Sequence, residues 1–321
     1  MLDWGAENNM RRLVTLLCFL APVAAFAAGS PFNGRWDIRV LNEPRHRVWW
    51  LEVSGAGTPN LKGRFVGFPG GDMNDIEKPE LRDGVLRFRF DRPADAKSPA
   101  VHQDYSARFV GGKLEGSMTS GNHEWKWTGE RAPEIADRDD GSWKPGKPID
   151  LFNKRDLAGW HGIVPGKDLG WTVGNGMLKS SGGANNLESD GTFWNFTLHL
   201  EYRVGPHSNS GIGLRARYEV QILEDFGRPL DRHSNGALYS RIIPAVAASK
   251  PAGEWQTYDI RLVGRHVTIV LNGKKVVDGI IEGLTAIATD PDEGKPGPIT
   301  LQGDHGPVDF RAMVLTPLEK R

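Results

Sequence analysis

Residues 209–225 read NSGIGLRARYEVQILED and combine guanidinium, carboxylate and amide groups in one short stretch. Successive side chains of a strand point to opposite faces, so one strand through this stretch would present four polar groups together: Arg215, Arg217, Glu219 and Gln221. Such a row fits a polar ligand, and it also fits a solvent-facing surface crossed by ion pairs.

Both ends of the same stretch add polar side chains, which favours the ligand. A tight Asn-Ser-Gly turn is expected at the start, and the stretch ends in Glu-Asp-Phe-Gly. Loops at strand ends commonly carry binding groups. We therefore predict a substrate-binding set that includes Asn209, Arg215, Arg217, Gln221 and Asp225.

Glu219 and His305 are the residues that we predict to transfer protons. Glu219 would be held in mid-strand, where a nearby guanidinium lowers a carboxylate pKa and burial raises it. His305 follows Gln-Gly-Asp at a strand end, and the reference histidine pKa of about 6.5 suits proton transfer. The structural alternatives are an ion pair between Arg215 and Glu219 and an ordinary surface histidine at 305.

Three more polar residues complete the predicted binding set. Tyr239 and Lys250 lie within residues 227–254, an irregular stretch of the kind that often covers a site. Gln302 would share a strand face with Thr300. A packed tyrosine and a solvated lysine are the alternatives for the first two.

Several kinds of chemistry lack their usual motifs. The sequence has no His-Glu-x-x-His, no G-x-S-x-G and no glycine-rich nucleotide loop. We therefore predict no required cofactor. A divalent metal held by oxygen ligands and one histidine stays an alternative.

Composition and the N-terminus limit the partners and the location. Lys+Arg and Asp+Glu both number 40 in 321 residues, and this balance gives no reason to expect nucleic acid or an acidic membrane. Residues 1–28 match a signal peptide, with Arg11-Arg12, an apolar run and an Ala-Phe-Ala cleavage pattern. We therefore expect a periplasmic or secreted protein without a membrane span, and the oligomeric state stays open.

The rest of the chain is predicted to be all-β. Alternating runs separated by Gly, Asn and Asp indicate a small barrel or sandwich over residues 31–131. Residues 132–148 are polar and rich in Pro and Gly, as in a linker. Residues 149–318 are predicted to form a jelly-roll sandwich, with one long strand over 210–223 and a hairpin at Asn272-Gly273.

Spaced blocks of the C-terminal half resemble a known family. They occur in order as LFNKRDLAGW from 151, WTVGNGML from 171, NSGIGLR from 209, YEVQIL from 218, GALY from 236, KPAGEWQTY from 250 and GPITLQ from 297. They resemble the 3-keto-disaccharide hydrolase domain family. That resemblance implies a concanavalin-like jelly roll and a secreted or periplasmic enzyme that cleaves glycosides whose sugar carries a ketone at carbon 3. The N-terminal part resembles a calycin-type barrel, for which no activity is implied.

A ketone at carbon 3 acidifies the proton on carbon 2, so a base can start an elimination that expels the group on carbon 1. Water can then add back, which completes a net hydrolysis. The alternative function is a lectin-like module that binds carbohydrate with the same polar groups and does not cleave it.

Overall fold

The computed structural model describes residues 29–41, 43, 46–67, 71–94 and 99–320. The predicted signal peptide lies outside these residues. The described residues form twenty-three β-strands and no helix, which confirms the all-β class. Since helices are absent from this part of the chain, none is available there to cross a membrane.

The N-terminal part forms a single antiparallel sheet, whose nine strands are β1 (Gly34–Val40), β2 (Val48–Ser54), β3 (Lys62–Val66), β4 (Met73–Asp75), β5 (Glu80–Arg82), β6 (Val85–Arg92), β7 (Val101–Val110), β8 (Lys113–Ser120) and β9 (His123–Arg131). The order is β4-β3-β2-β1-β9-β8-β7-β6-β5. Strands β3 and β6 are far apart in this order, yet the rings of Phe65 and Phe88 lie 5.3 Å apart. The sheet therefore curls into a half-barrel around its own core.

The remaining strands build a sandwich of two sheets. They are β10 (Trp143–Pro145), β11 (Ile149–Asp150), β12 (Trp160–Gly162), β13 (Trp171–Gly174), β14 (Met177–Ser181), β15 (Leu187–Ser189), β16 (Phe196–Val204), β17 (Asn209–Leu214), β18 (Tyr218–Leu223), β19 (Gln256–Val263), β20 (His266–Leu271), β21 (Lys274–Ile280), β22 (Thr300–Leu301) and β23 (Pro307–Lys320). One sheet runs β13-β14-β23-β16-β19-β20-β21, with β10 and β11 also paired to β23. The other sheet runs β12-β15-β22-β17-β18.

The core of the sandwich lies between these two sheets. On β16, five buried residues alternate with half-buried ones: Phe196, Leu198, Leu200, Tyr202 and Val204. The five-stranded sheet contributes a cross-strand row of buried aliphatic residues: Leu187, Leu301, Ile212 and Val220. Each such side chain contributes about 1.5–3 kcal/mol by leaving water, so the period-2 pattern fixes which face of each strand is outside.

Glycine-containing turns were predicted correctly, whereas the long strand was not. Asn272 and Gly273 both have positive φ between β20 and β21, as a type I′ hairpin requires. The prediction of one strand over 210–223 is wrong, because β17 and β18 form an antiparallel hairpin with Leu214 paired to Tyr218. Asn209 begins β17 and is not part of a tight turn.

Residues 132–148, predicted to be a linker, pack against the sandwich. β10 pairs with the end of β23, and the Asp139 carboxylate makes two 2.7 Å hydrogen bonds with the Arg261 guanidinium. Asp137 accepts hydrogen bonds from the side chains of Trp194 and Asn195. These contacts hold the N-terminal sheet close to the sandwich.

Candidate active site

A cavity of about 610 Å³ lies between the five-stranded sheet and the N-terminal sheet. Its volume is typical of small-molecule sites, which span about 300–1,000 Å³. Six of the ten residues predicted from the sequence line this cavity: Asn209, Glu219, Gln221, Tyr239, Gln302 and His305.

The register of the five-stranded sheet explains how these groups meet. Paired residues on antiparallel strands place their side chains on the same face. Glu219 pairs with Gly213, and Gly213 pairs with Thr300 on β22. Gln221 pairs with Gly211. One polar face therefore carries Glu219 and Gln221 toward the cavity, while the row of aliphatic residues fills the core behind it.

Gly211 gives the Glu219 carboxyl group its place on this face. A Cβ atom at position 211 would lie 2.5 Å from Glu219 Oε1 and 3.1 Å from its Cγ. Any other residue would therefore displace the carboxyl group. The sequence places this glycine between Ser210 and Ile212. Only the pairing of β17 with β18 shows that it leaves space for the Glu219 carboxyl group.

The environment of Glu219 suits a group that exchanges a proton near neutral pH. Its exposed fraction is only 2%. Burial raises the pKa of Glu219 to about 8, and the charge of His305 partly opposes that rise. A carboxylate that ionises in this range is a stronger base than an exposed glutamate.

His305 is oriented by the residue before it. Its Nδ1 lies 2.7 Å from Asp304 Oδ1. This hydrogen bond, with the charges of Asp304 and Glu219, raises the pKa of His305 despite partial burial. Asn186 fixes the loop, because its side-chain oxygen accepts hydrogen bonds from the backbone N–H groups of Gly303 and Asp304. The imidazolium form is therefore stabilised beside a carboxyl group that can give up its own proton.

Amide side chains supply the neutral polar lining. The Gln221 Nε2 atom donates to Asn209 Oδ1 at 3.3 Å. The Oε1 atoms of Gln221 and Gln302 are buried and have no hydrogen-bond partner in the described part of the chain. Buried acceptors without partners are costly, and hydroxyl donors of a ligand would satisfy them.

Tyr239 adds a phenol to the cavity. Its backbone N–H donates to the carbonyl oxygen of Glu219, which ties the two residues together. Burial, followed by the charge of Glu219, raises the pKa of Tyr239 to about 12. The hydroxyl group is therefore neutral at working pH and can donate to a developing negative charge.

Arg215 lies outside the cavity lining, contrary to the placement that the sequence predicted. Arg215 and Ala216 have positive φ values of 57° and 54° and form the turn between β17 and β18. The buried guanidinium donates to the backbone oxygens of Trp194 and Gly264 and to the side chain of Asn195. The alternative, an ion pair between Arg215 and Glu219, is absent as well, because the guanidinium is bonded to Trp194, Gly264 and Asn195.

Arg217 is also structural, contrary to the prediction. It is fully buried, pairs with Asp290 and donates to the carbonyl oxygen of Lys295 at 2.7 Å. Its own backbone carbonyl accepts from Thr285. Arg217 therefore holds the loop after β21, whose residues 286–289 line the cavity.

Asp225 and Lys250 likewise lie outside the cavity lining, which corrects two more predictions. Asp225 accepts hydrogen bonds from the Asn235 backbone and the Ser249 hydroxyl, so its carboxylate secures a loop. Lys250 Nζ donates to the carbonyl oxygen of Trp255 at 2.8 Å. Both charged groups therefore stabilise the loops in which they lie.

Several lining residues were missed from the sequence. Asn185, Asn186 and Lys167 lie in irregular stretches that gave no periodic signal. Arg47 and Trp49 come from the N-terminal sheet, more than 150 residues before Glu219. Within the described residues, no group of three or more His, Cys, Asp or Glu side chains is arranged to hold a metal ion.

Comparison with known proteins assigns the family. The 3-keto-alpha-glucoside-1,2-lyase-like domain matches residues 147–316. This match spans more than half of the chain, so the protein belongs to that family, as the sequence blocks predicted. None of the curated proteins matches the chain.

Solved structures provide further likenesses. One is a candidate glycosyl hydrolase from Parabacteroides distasonis, with 25% identity, a TM-score of 0.47, and coverage of 57% of this chain and 90% of that one. Another from the same organism has 20% identity, a TM-score of 0.47, and coverage of 54% and 94%. A non-specific endo-beta-1,3(4)-glucanase of family GH16 has 12% identity, a TM-score of 0.37, and coverage of 59% and 96%.

The family, the jelly-roll sandwich and the polar cavity together define the class of protein. It is an enzyme that acts on carbohydrate. Glu219 and His305 both line its cavity.

Proposed function

We propose that this enzyme cleaves 3-keto-glycosides, including 3-keto-disaccharides, by elimination. The observation that carries the proposal is the presence of Glu219 and His305 in one cavity lined by neutral amides. The two groups interact electrostatically, and each shifts the pKa of the other. A coupled acid and base is what an elimination needs, whereas an oxocarbenium route needs two carboxyl groups at a set spacing.

The first step is removal of the proton on carbon 2. The Glu219 carboxylate takes this proton, and the C–H electron pair forms the carbon 2–carbon 3 double bond of an enediolate. Negative charge then develops on the oxygen of the former ketone. Among the groups that line the cavity, the neutral Tyr239 hydroxyl and the Asn209 amide are our candidates to stabilise this charge.

The second step expels the group on carbon 1. The enediolate electron pair forms the carbon 1–carbon 2 double bond as the ketone returns, and the bond between carbon 1 and the glycosidic oxygen breaks. The His305 imidazolium donates its proton to that leaving oxygen. Water then adds across the new double bond: neutral His305 takes one proton from the water, the hydroxyl bonds to carbon 1, and Glu219 returns its proton to carbon 2. This completes a net hydrolysis and restores both residues to their starting forms.

The pH dependence follows from the two shifted pKa values. The base form of Glu219 accumulates as pH rises through about 8, while His305 must keep its proton. We expect kcat/KM to rise between pH 6 and 8 and to fall once His305 is deprotonated. A rate that is flat from pH 5 to 9 would contradict these roles.

The test is turnover of a purified 3-keto-disaccharide, measured as release of the second sugar. Glu219→Gln should lower kcat by about 10²–10⁴-fold, which is the rate factor that a general base usually contributes. Glu201→Gln is the matched control, since Glu201 also lies on a strand of the sandwich but pairs with Arg311 outside the cavity. Binding of the disaccharide without any turnover by the unmodified enzyme would favour the lectin-like module instead.

We also propose that the protein is exported after loss of residues 1–28. The support is the basic, apolar and Ala-Phe-Ala pattern of that segment. Mass spectrometry of protein recovered from the periplasm or medium should show a start near residue 29. An intact N-terminus in the cytoplasmic fraction alone would refute this.

A further inference from the structure

We propose that the N-terminal sheet forms part of the active site and binds the leaving group of the glycoside, with Arg47 as a specificity-determining residue. This inference rests on the proposed function. The N-terminal sheet lines the cavity through Arg47, Trp49 and Gly67 and through Gly71 beside the sandwich loop. The catalytic pair comes from the sandwich, so a ligand between the two parts must touch both.

Strand β2 is shared by the two hydrophobic cores. Trp49 and Leu51 pack into the core of the N-terminal half-barrel, whereas Val48 and Trp50 point the other way and belong to the core of the sandwich. Val66 on β3 joins the sandwich core as well. Because successive residues alternate faces, the strand is fixed on both sides and cannot swing away from the cavity.

We call the part of the cavity lining formed by Arg47, Trp49, Gly67 and Gly71 the N-terminal wall. A close contact fixes one edge of this wall. Gly71 has a φ of 74°, and a Cβ atom there would overlap the Ala286 side chain in the cavity-lining loop. Position 71 therefore admits only glycine, which brings the N-terminal sheet against the loop.

Polar contacts extend this attachment to the cavity. Asp72 accepts hydrogen bonds from Arg232 at 2.9 Å and from His233 Nε2 at 2.8 Å. The His233 ring in turn packs on the Tyr239 ring, with centroids 4.9 Å apart. Asp72, which directly precedes β4, is thus linked through two contacts to a phenol of the cavity.

Arg47 supplies the binding chemistry of the wall. Its side chain is half exposed, and its Nε lies 3.2 Å from Glu43 Oε1. A guanidinium has five N–H donors in a planar fork, so donors are left for ligand oxygens. Such a group fits a hydroxyl-rich leaving group, and a second sugar ring is the simplest case. The cavity volume leaves room for it beside the reacting ring.

The experiment measures binding without cleavage. Calorimetry on the Glu219→Gln protein gives Kd for a 3-keto-disaccharide and for the methyl glycoside of the same 3-keto sugar. Arg47→Ala is then added. Arg39→Ala is the matched control, because Arg39 is exposed on the neighbouring strand β1 and does not line the cavity.

We expect Arg47→Ala to raise the disaccharide Kd by about tenfold, as for one lost hydrogen bond to a charged group, and to raise the methyl glycoside Kd much less. Arg39→Ala should change neither value. Equal weakening of both ligands, no weakening of the disaccharide, or no binding at all would overturn the inference. Turnover by the unmodified enzyme is scored separately, so failure of the proposed function is distinguished from failure of this one.

Discussion

Replacement of Asp37 by Asn should remove a pH dependence from the stability of the protein. Asp37 on β1 is 4% exposed and hydrogen-bonded to the fully buried Glu293 of the sandwich. Glu293 also accepts hydrogen bonds from the Tyr218 hydroxyl at 2.6 Å and from Arg265 at 2.8 Å. Burial, and then the charge of Glu293, raise the pKa of Asp37 to about 9. Asp37 therefore keeps its proton to a higher pH than an exposed aspartate does.

The sign and size of the effect follow from proton linkage. The ordinary Asp pKa is 3.8, so between about pH 4 and 9 the folded state binds one more proton at Asp37 than the unfolded state. The stabilisation that comes from protonated Asp37 is complete below this pH window. It is lost as the pH rises through the window, by about 1.4 kcal/mol of unfolding free energy per pH unit. From pH 6 to 8 the loss is about 2–3 kcal/mol, a large part of the 5–15 kcal/mol typical of a folded protein.

Urea unfolding at pH 6, 7 and 8, followed by tryptophan fluorescence, measures this effect. Asn donates the same hydrogen bond as protonated Asp and does not ionise, so the variant should lose the Asp37 contribution to the slope. Glu219 adds a slope of the same sign, because its folded pKa is also raised, and this part should persist in the variant. Asp104→Asn, an exposed change on the same N-terminal sheet, is the control. A variant that keeps the full wild-type slope would refute the raised pKa of Asp37.

Three further changes test the site and its supports. Gly211→Ala should displace the Glu219 carboxyl group, lower stability by about 1–3 kcal/mol and abolish turnover, whereas Gly205→Ala, whose added Cβ would meet no atom within 4 Å, should do neither. Asp304→Asn should lower the pKa of His305, and an NMR titration that shows no downward shift would contradict that role. Arg215→Lys should lower the unfolding free energy by about 2–4 kcal/mol, because buried hydrogen bonds of the guanidinium are lost. An unchanged unfolding free energy in denaturant would show that the turn does not need these hydrogen bonds.

The parts of the site that follow local rules were predictable from sequence. The alternation after Tyr218 places Glu219 and Gln221 on one face, and the structure keeps them there. The position of His305 after a strand likewise put its side chain at the edge of the sheet. These predictions needed only the period of a strand and the ordinary chemistry of the side chains.

The errors arise where tertiary contacts override local preference. The turn at Arg215 and Ala216 uses two non-glycine residues with positive φ, each at a cost of about 1–2 kcal/mol. Nothing local signals such a turn, because the bonds that stabilise it reach Trp194 and Gly264. The N-terminal wall could not be predicted because it depends on tertiary packing as well. Arg47 comes to line the cavity only when β2 is packed into both hydrophobic cores.

The position of β23 has a consequence for synthesis on the ribosome. This strand is flanked by β14 and β16 in its sheet, and β10 and β11 also pair with it. Its residues, 307–320, are translated after every other strand of the sandwich. The half-barrel can form while translation continues, but the sandwich has to wait for a strand in the interior of its larger sheet. The loop that carries His305 directly precedes this strand, so His305 reaches the cavity only as the fold closes.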